Sequence, residues 1–301
     1  MIALFPGQGS QQVGMGKLLF ENFSVAREVF EEAGDAVRMN LRKLCFDGPE
    51  SDILLTENTQ PCLLTTSVAA FRVAEKELEF KPSLVAGHSL GEYSALVAAG
   101  ALSLNAAVRW VRERGLAMQK AVPAGAGAMA AVMGLDDAGV QALCNEAEKV
   151  AREKRGSVAL TDDPDADPWR AVEVCAAPAN YNAPGQIVIS GSADAIQEAL
   201  VLSKSSFSGS KLIFLPVSAP FHCRLMAPAR DRMAEIFANA SAPDQPRDLK
   251  CWHVPNRTGR PTREKGVILE LLIQQVDHPV LWRQTVEAIA GQIAEVGSKA
   301  I

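Results

Sequence analysis

Short apolar runs and longer amphipathic segments alternate along the N-terminal part of this 301-residue chain. The runs Ile2–Phe5 and Ser83–Gly87 predict buried strands, and each leads into a glycine-containing turn. A strand, a tight turn and a helix in this order indicate an α/β unit. Helices are predicted through the fifties and then at 62–78 after a Gln60-Pro61 break, from Gly91 to Ala99, and at Ser103–Val122.

The pattern changes between residues 128 and 217, where strands and helices are predicted in the order βαββαβ. This is the split βαβ order of a ferredoxin-like unit, so we expect a small domain at 128–217 inserted into a larger α/β domain formed by 1–127 and 218–301. The predicted elements are strand Ala128–Met133, helix 136–152, strands Val172–Ala176 and Gln186–Ser190 joined by a turn at 182–185, helix 193–204 with Ser192 as its N-cap, and strand Leu212–Val217.

Composition narrows the class of protein. The chain is 48% apolar and 22% charged with a net charge of −5, which excludes a disordered chain and argues against a nucleic-acid-binding platform. It lacks the roughly 18–20 consecutive apolar residues that cross a bilayer, so no membrane partner is expected. The N-terminus lacks a signal-peptide pattern, and six scattered cysteines without a CxxC pair or metal-ligand spacing predict a cytoplasmic protein with free thiols and no metal site.

The segment Gly87-His88-Ser89-Leu90-Gly91 fits the GxSxG pattern of a nucleophile elbow. Small residues two positions on either side are needed because the serine lies on a sharp strand-to-helix turn. That turn exposes the serine Oγ, and the N–H of Leu90 can then donate to an oxyanion. The match alone has low specificity, but here it follows a predicted strand and precedes a predicted helix. Ser89 is therefore a candidate nucleophile, with an ordinary turn serine as the alternative.

A serine nucleophile needs a base, and the chain has four histidines. His88 lies inside the elbow and is expected to point away from Oγ, His253 falls in a basic loop region, and His278 stands before a proline at a helix start. His222 follows an apolar strand, at the edge where catalytic residues of α/β proteins lie. His222 is therefore the best candidate of the four.

Arg114 lies on the apolar stripe of the predicted helix Ser103–Val122, between Val111 and Met118. A guanidinium on a buried helix face either extends outward to solvent or binds an anion, and its fork of donors suits a carboxylate. The sequence pattern leaves these two readings equally open.

With GQGSQ, GHSLGEYSA, an Arg-Gly helix and APFH in this order, the sequence resembles the bacterial malonyl-CoA:acyl carrier protein transacylases and the acyltransferase domains of fatty-acid and polyketide synthases. The resemblance covers nearly the whole chain and implies an α/β-hydrolase-like core with a ferredoxin-like insert. It implies that Ser89 is the nucleophile and His222 the base. It implies that Gln8 and Leu90 form the oxyanion hole and that Arg114 binds the free carboxylate of the substrate. It also implies that the main-chain carbonyl of Gln275 orients the histidine and that Phe221 helps to select malonyl.

The resemblance further implies a ping-pong transfer of a malonyl group from malonyl-CoA to the pantetheine thiol of acyl carrier protein, supplying fatty-acid elongation without a cofactor. Three alternatives remain open. A polyketide acyltransferase acting in trans has the same chemistry on another carrier, and a serine thioesterase or hydrolase of the same fold passes the acyl group to water. A non-catalytic thioester- or carrier-binding module would not need Ser89 or His222.

Three stretches stand outside this pattern. The acidic stretch 161–168 is predicted to be a solvated loop, because it lacks the glycine and glutamate of an EF-hand. The segment 247–265 has six basic residues against two acidic ones, and is read either as solvated surface or as a docking surface for an acidic carrier protein. The family's glycine-rich C-terminal stretch is represented only by Val296–Lys299.

Overall fold

The computed structural model describes residues 1–157 and 168–299 of the chain. The chain divides into two compact units, each built from two stretches. The first comprises Met1–Ala117 and Arg232–Leu272, and the second comprises Met118–Asp231 and Ile273–Ile301. Both contain helices and strands, so the α/β class predicted from the sequence is confirmed.

The helices and strands follow one another closely along the described chain. The elements as far as Lys120 are β1 (Ile2–Phe5), α1 (Lys17–Asn22), α2 (Ser24–Val37), α3 (Leu41–Asp47), α4 (Glu50–Ile53), α5 (Thr56–Glu77), β2 (Leu84–Gly87), α6 (Gly91–Ala98) and α7 (Leu104–Lys120). Those that follow are β3 (Gly127–Met133), α8 (Asp137–Ser157), β4 (Ala176–Ala183), β5 (Gln186–Ser192), α9 (Ala193–Ser205), β6 (Lys211–Phe214), α10 (Ala227–Ala238), β7 (Trp252–Val254), α11 (Ile268–Gln275) and α12 (Trp282–Lys299). Within residues 1–157 and 168–299, no helix combines the length and the apolarity that crossing a membrane requires.

A parallel sheet lies at the centre of the first unit. β2 is the middle strand, with β1 and β7 paired on either side of it. Every residue of β2 is buried, as is typical of a parallel strand covered on both faces. α6 packs against β1 and β2, and α5 packs against α2 and α6. Because the three strands are parallel, their carboxyl ends meet at one edge of the sheet.

The second unit contains an antiparallel sheet in the strand order β4-β5-β3-β6. Residues of β3 and β5 alternate between the two faces of the sheet, and Ala130, Val132, Ile187 and Ile189 enter one core. The buried stripe of α8, including Val140 and other residues at helical spacing, packs into the same core together with α9. The elements occur in the predicted order, strand–helix–strand–strand–helix–strand.

Two predicted boundaries at prolines are wrong. The helix predicted from residue 62 begins at Thr56, and Pro61 lies inside α5. A proline in the second turn removes one backbone donor, which the helix survives here because most of its residues from Thr56 to Val73 are buried by packing. The strand predicted at Val172–Ala176 is instead Ala176–Ala183, which contains Pro178. A sheet-edge position and irregular pairing around Pro178 accommodate the missing donor.

Two smaller differences concern turns and caps. The turn between β4 and β5 has only Pro184 and Gly185 between the paired residues Ala183 and Gln186, and Gly185 has φ of 70°. Ser192 is the N-cap residue of α9 as predicted, but its side chain makes no capping hydrogen bond. Its Oγ instead accepts a hydrogen bond from the N–H of Cys175 at 3.2 Å.

Candidate active site

Ser89 lies in a sharp turn between the end of β2 and the start of α6. Its φ is 50°, in the left-handed region that non-glycine residues seldom adopt. A Cβ at Gly87 would collide with the carbonyl group of Gly91, and a Cβ at Gly91 would collide with the carbonyl oxygen of Phe5. The close packing of this turn therefore explains why small residues are needed two positions on either side of the serine.

Asn256 holds the same turn from the neighbouring strand, and the sequence analysis did not identify it. Its Oδ1 accepts a hydrogen bond from the Ser89 N–H at 2.6 Å, and its Nδ2 donates to the Gly87 carbonyl oxygen at 2.6 Å. Asn256 is fully buried and follows β7, which pairs in parallel with β2. A polar residue two positions after the end of a strand, at the carboxyl edge of a parallel sheet, was the available signal.

Arg114 lies on the buried face of α7, as its position in the apolar stripe predicts, and is 1% exposed. Its Nη1 donates to Oε1 of Gln60 at 2.8 Å, and its Nη2 donates to the Ser89 Oγ at 3.1 Å. Burial lowers the pKa of the guanidinium, because desolvation disfavours its charged form. Of the two readings of Arg114, extension to solvent is excluded, and binding of a substrate carboxylate stays a prediction.

Gln8 and Leu90 lie near the carboxyl ends of the paired strands β1 and β2. Phe5 is opposite Gly87 in this pairing, so the turns that follow the two strands leave the sheet at the same edge. Gln8 is half-buried, and its Nε2 donates to the Thr56 Oγ1 at 3.4 Å. Leu90 is buried at the N-cap position of α6, where backbone N–H groups have no acceptor within the helix. Their role as an oxyanion hole stays a prediction.

His222, Gln275 and Phe221 belong to the second unit. His222 is buried, has φ of 60°, and its Nδ1 lies 2.8 Å from the main-chain carbonyl oxygen of Gln275. A carbonyl oxygen only accepts, so Nδ1 carries the hydrogen and Nε2 of the neutral ring is the proton acceptor. This is the hydrogen bond predicted for Gln275, and its tautomer suits a general base. Phe221 is buried beside it in the chain.

Comparison with known proteins shows the family. The protein-family model described as "Acyl transferase domain" matches residues 3–166. The malonyl CoA-acyl carrier protein transacylase of Bacillus subtilis strain 168 is 41% identical over 292 residues, which are 96% of this chain and 82% of that protein. The chain belongs to the malonyl CoA-acyl carrier protein transacylase family.

Solved structures of this transacylase family have the same α/β fold. The acyl-carrier-protein S-malonyltransferase of Burkholderia pseudomallei 1710b matches with a TM-score of 0.84 at 39% identity, covering 97% of this chain and 85% of that one. A malonyl-transacylase in complex with its type II polyketide-synthase acyl-carrier protein matches with a TM-score of 0.83 at 37% identity, covering 97% of this chain and 85% of that one.

The structure also places the two remaining candidate histidines, His253 and His278. His253, expected in a loop, is instead buried in β7, and burial lowers its pKa to about 3. Its imidazole is uncharged at neutral pH, so its 3.5 Å approach to Glu92 is not an ion pair. His278 lies between α11 and α12, with Nδ1 2.7 Å from Oδ1 of Asp277.

The three stretches outside the family pattern have different outcomes. Residues 161–167 of the acidic stretch lie outside the described residues. In the segment 247–265 the exposed basic residues are Arg247, Lys250, Arg260, Arg263 and Lys265, and docking of a carrier there stays a prediction. Val296–Lys299 continues α12. Across the described part of the chain, all six cysteines are free and buried, and no group of His, Cys, Asp or Glu is arranged to hold a metal ion.

Proposed function

We propose that this protein transfers the malonyl group of malonyl-CoA to the pantetheine thiol of acyl carrier protein through a malonyl-serine intermediate, supplying fatty-acid elongation. One observation carries the choice of a malonyl group. A buried guanidinium, that of Arg114, lies 3.1 Å from the Oγ of the elbow serine Ser89. An acyl group that is esterified to Ser89 and has a free carboxylate at its other end would bring carboxylate oxygens to the donors of that guanidinium.

The first half-reaction forms the acyl-enzyme. His222 takes the proton of the Ser89 hydroxyl while Oγ forms a bond to the thioester carbonyl carbon of malonyl-CoA. The negative charge moves to the carbonyl oxygen, where the N–H groups of Leu90 and Gln8 donate to it. The intermediate then collapses, the carbon–sulfur bond breaks, and the coenzyme A thiolate leaves with the proton held by His222. The malonyl group remains on Ser89 as an ester.

The second half-reaction reverses these steps on a different thiol. His222 takes the proton of the carrier's pantetheine thiol, and the sulfur attacks the ester carbonyl carbon. The same N–H groups stabilise the oxyanion, and the bond to Ser89 Oγ breaks as the hydroxyl regains its proton. The full cycle converts malonyl-CoA and the carrier thiol into malonyl-carrier thioester and free coenzyme A thiol, with no change of oxidation state. We therefore propose that the reaction uses no cofactor and that malonyl-CoA is a substrate.

Arg114 and Phe221 are the residues to which we assign acyl selectivity. Arg114 favours malonyl over acetyl because malonyl has a carboxylate that the guanidinium can bind and acetyl has none. Phe221, next to His222 in the chain, is proposed to favour malonyl over branched substrates. Gln275 orients the base through its main-chain carbonyl, so the proposed catalytic pair needs no carboxylate.

The proposal includes the finer description of the fold. The parallel sheet β1-β2-β7 supports an α/β-hydrolase-like core formed by 1–127 and 218–301, and the antiparallel sheet β4-β5-β3-β6 supports a ferredoxin-like insert at 128–217. The second compact unit differs from this insert by also taking in Ile273–Ile301 and the segments that flank 128–217. Six free, buried cysteines support a reducing compartment, and we propose the cytoplasm.

Transfer to a carrier is tested by incubating the protein with malonyl-CoA and acyl carrier protein that has its pantetheine arm. The intact mass of the carrier is then measured by mass spectrometry. We expect one malonyl group on the carrier thiol and little free malonate; carrier lacking the pantetheine arm is the matched control and should stay unmodified. Release of malonate without carrier malonylation would contradict transfer and favour a hydrolase. A polyketide-synthase carrier run in parallel tests the second candidate, which the matched polyketide-synthase complex favours.

A further inference from the structure

We propose that Asn256 is a positioning residue for the transfer reaction: its side-chain amide holds both ends of the turn that presents Ser89. This inference rests on the proposed function, because it concerns how the nucleophile of that reaction is placed. In the mechanism above, Asn256 does not touch the substrate. It acts through the backbone on either side of His88.

Two hydrogen bonds of the Asn256 side chain have opposite directions. The backbone carbonyl of Gly87 needs a donor and the backbone N–H of Ser89 needs an acceptor, and a single carboxamide supplies both at 2.6 Å. A carboxylate would supply two acceptors, and an aliphatic side chain would supply neither. An asparagine side chain therefore matches the hydrogen-bonding needs of the Gly87 carbonyl and the Ser89 N–H.

Asn256 is itself fixed by the helix that the turn begins. Its backbone N–H donates to Oε2 of Glu92 at 3.1 Å, and Glu92 is a buried residue in the first turn of α6. The carboxamide therefore joins the end of β2, the serine and the start of α6. This arrangement opposes relaxation of Ser89 out of its left-handed backbone conformation, in which φ is 50°.

The hydrogen bond to Asn256 also affects which backbone N–H group is available to an oxyanion. The Ser89 N–H already donates to Asn256, so the N–H of the next residue, Leu90, is the one that the turn presents to an oxyanion. Loss of the carboxamide would let the Ser89 peptide rotate, moving the nucleophile and this donor together. We therefore expect the acylation step to depend on Asn256 while ground-state binding of the acyl donor does not.

The test is single-turnover acylation by malonyl-CoA in Asn256→Ala and Asn256→Asp, which separates the acylation rate from the Kd. For Asn256→Ala we expect a rate loss of about 100-fold with Kd changed less than about twofold, since small displacements of reacting groups have effects of this size. Asn256→Asp keeps the acceptor for the Ser89 N–H and loses the donor to Gly87, so we expect an intermediate loss of about tenfold.

Thr65→Ala is the matched control for loss of a buried hydrogen bond in the same unit. The Thr65 hydroxyl is fully buried and donates to the Pro61 carbonyl oxygen at 2.7 Å. We expect this variant to lose stability and to keep the wild-type acylation rate per folded molecule. A wild-type rate in Asn256→Ala, or a loss no larger than that in Thr65→Ala, would overturn the inference, as would a weaker Kd with an unchanged rate.

A small fluorophosphonate that labels reactive serines separates failure of this inference from failure of the proposed function. If wild type labels at Ser89 but takes no acyl group from malonyl-CoA, the proposed function fails, and slower labelling of Asn256→Ala still supports the positioning role. If wild type reacts with both reagents and Asn256→Ala reacts equally fast with both, the proposed function stands and the positioning role is wrong.

Discussion

Ser89 and His222 both have left-handed backbone conformations, with φ of 50° and 60°. Such a conformation costs a non-glycine residue roughly 1–2 kcal/mol, so the surrounding structure must hold it. The other non-glycine residues with positive φ in the described chain are Arg38 and Glu79, and both lie at helix ends, where this conformation is common. The two strained positions without that explanation are those assigned to the nucleophile and the base.

Selectivity for malonyl over acetyl is assigned to one residue, Arg114. We expect Arg114→Ala to lower kcat/KM for malonyl-CoA about 100-fold and to change kcat/KM for acetyl-CoA much less, because only malonyl loses a charge-assisted partner. Arg109→Ala is the matched control on the same helix, since Arg109 is 39% exposed and pairs with Asp244. Steady-state kinetics with both donors check this; an unchanged malonyl-to-acetyl ratio in Arg114→Ala would contradict it.

The turn at Ser89 and the burial of Arg114 could be predicted because a short motif and a periodic pattern carry the information. Ser89 stands in a local motif, and the burial of Arg114 follows from its position in an apolar stripe. Asn256 has neither signal: it contacts Ser89 across 167 positions of sequence, and it lies in no short motif or periodic pattern that would indicate this contact. A contact between distant strand ends becomes visible only when the order of strands in the sheet is known.

At the level of elements, the strand–turn–helix unit around Ser89 depends on backbone approach at its glycines. We expect Gly87→Ala to destabilise the protein by about 3 kcal/mol or more, because a Cβ there meets the backbone of Gly91, which cannot move independently of α6. Gly291→Ala is the matched control inside α12, where a Cβ has no atom within 4 Å.

The control substitution Gly291→Ala should stabilise the protein. Alanine has higher helix propensity than glycine, so we expect Gly291→Ala to raise the free energy of unfolding by about 0.5–1 kcal/mol. Urea unfolding of both variants checks the pair. Equal stability of Gly87→Ala and wild type would show that the turn does not need its close packing.

The sequence predicted most elements, and the errors share a physical cause. β2 and α7 were found because their apolar patterns are continuous. β4 was misplaced because Pro178, Asn180 and Asn182 interrupt its alternation, and the start of α5 was missed because Pro61 is a local break signal. In both elements tertiary packing outweighs local preference, which no window of neighbouring residues reveals.

For the whole molecule, stability should depend on pH through a buried histidine. Burial lowers the pKa of His253 to about 3 from the ordinary 6.5, so between these values the unfolded chain binds a proton that the folded chain does not. The stabilising contribution of the uncharged His253 is therefore fully present above about pH 6.5. It is lost as pH falls toward the folded-state pKa, by up to about 1.4 kcal/mol per pH unit.

Unfolding curves of wild type and His253→Asn between pH 7.5 and 4.5 measure this contribution. We expect the free energy of unfolding of wild type to fall more steeply with decreasing pH than that of the variant, whatever their difference at pH 7.5. Parallel dependences on pH would mean that His253 is protonated equally in the folded and unfolded chains.

In the proposed transfer, Ser89 carries the acyl group between two thiols. The most direct measurement of this step is the intact mass of the protein after incubation with malonyl-CoA alone, with the modified residue located by peptide mapping. We expect a mass increase of one malonyl group, located on Ser89 and lost when acyl carrier protein is added. No adduct on wild type, or an undiminished adduct in Ser89→Ala, would contradict it.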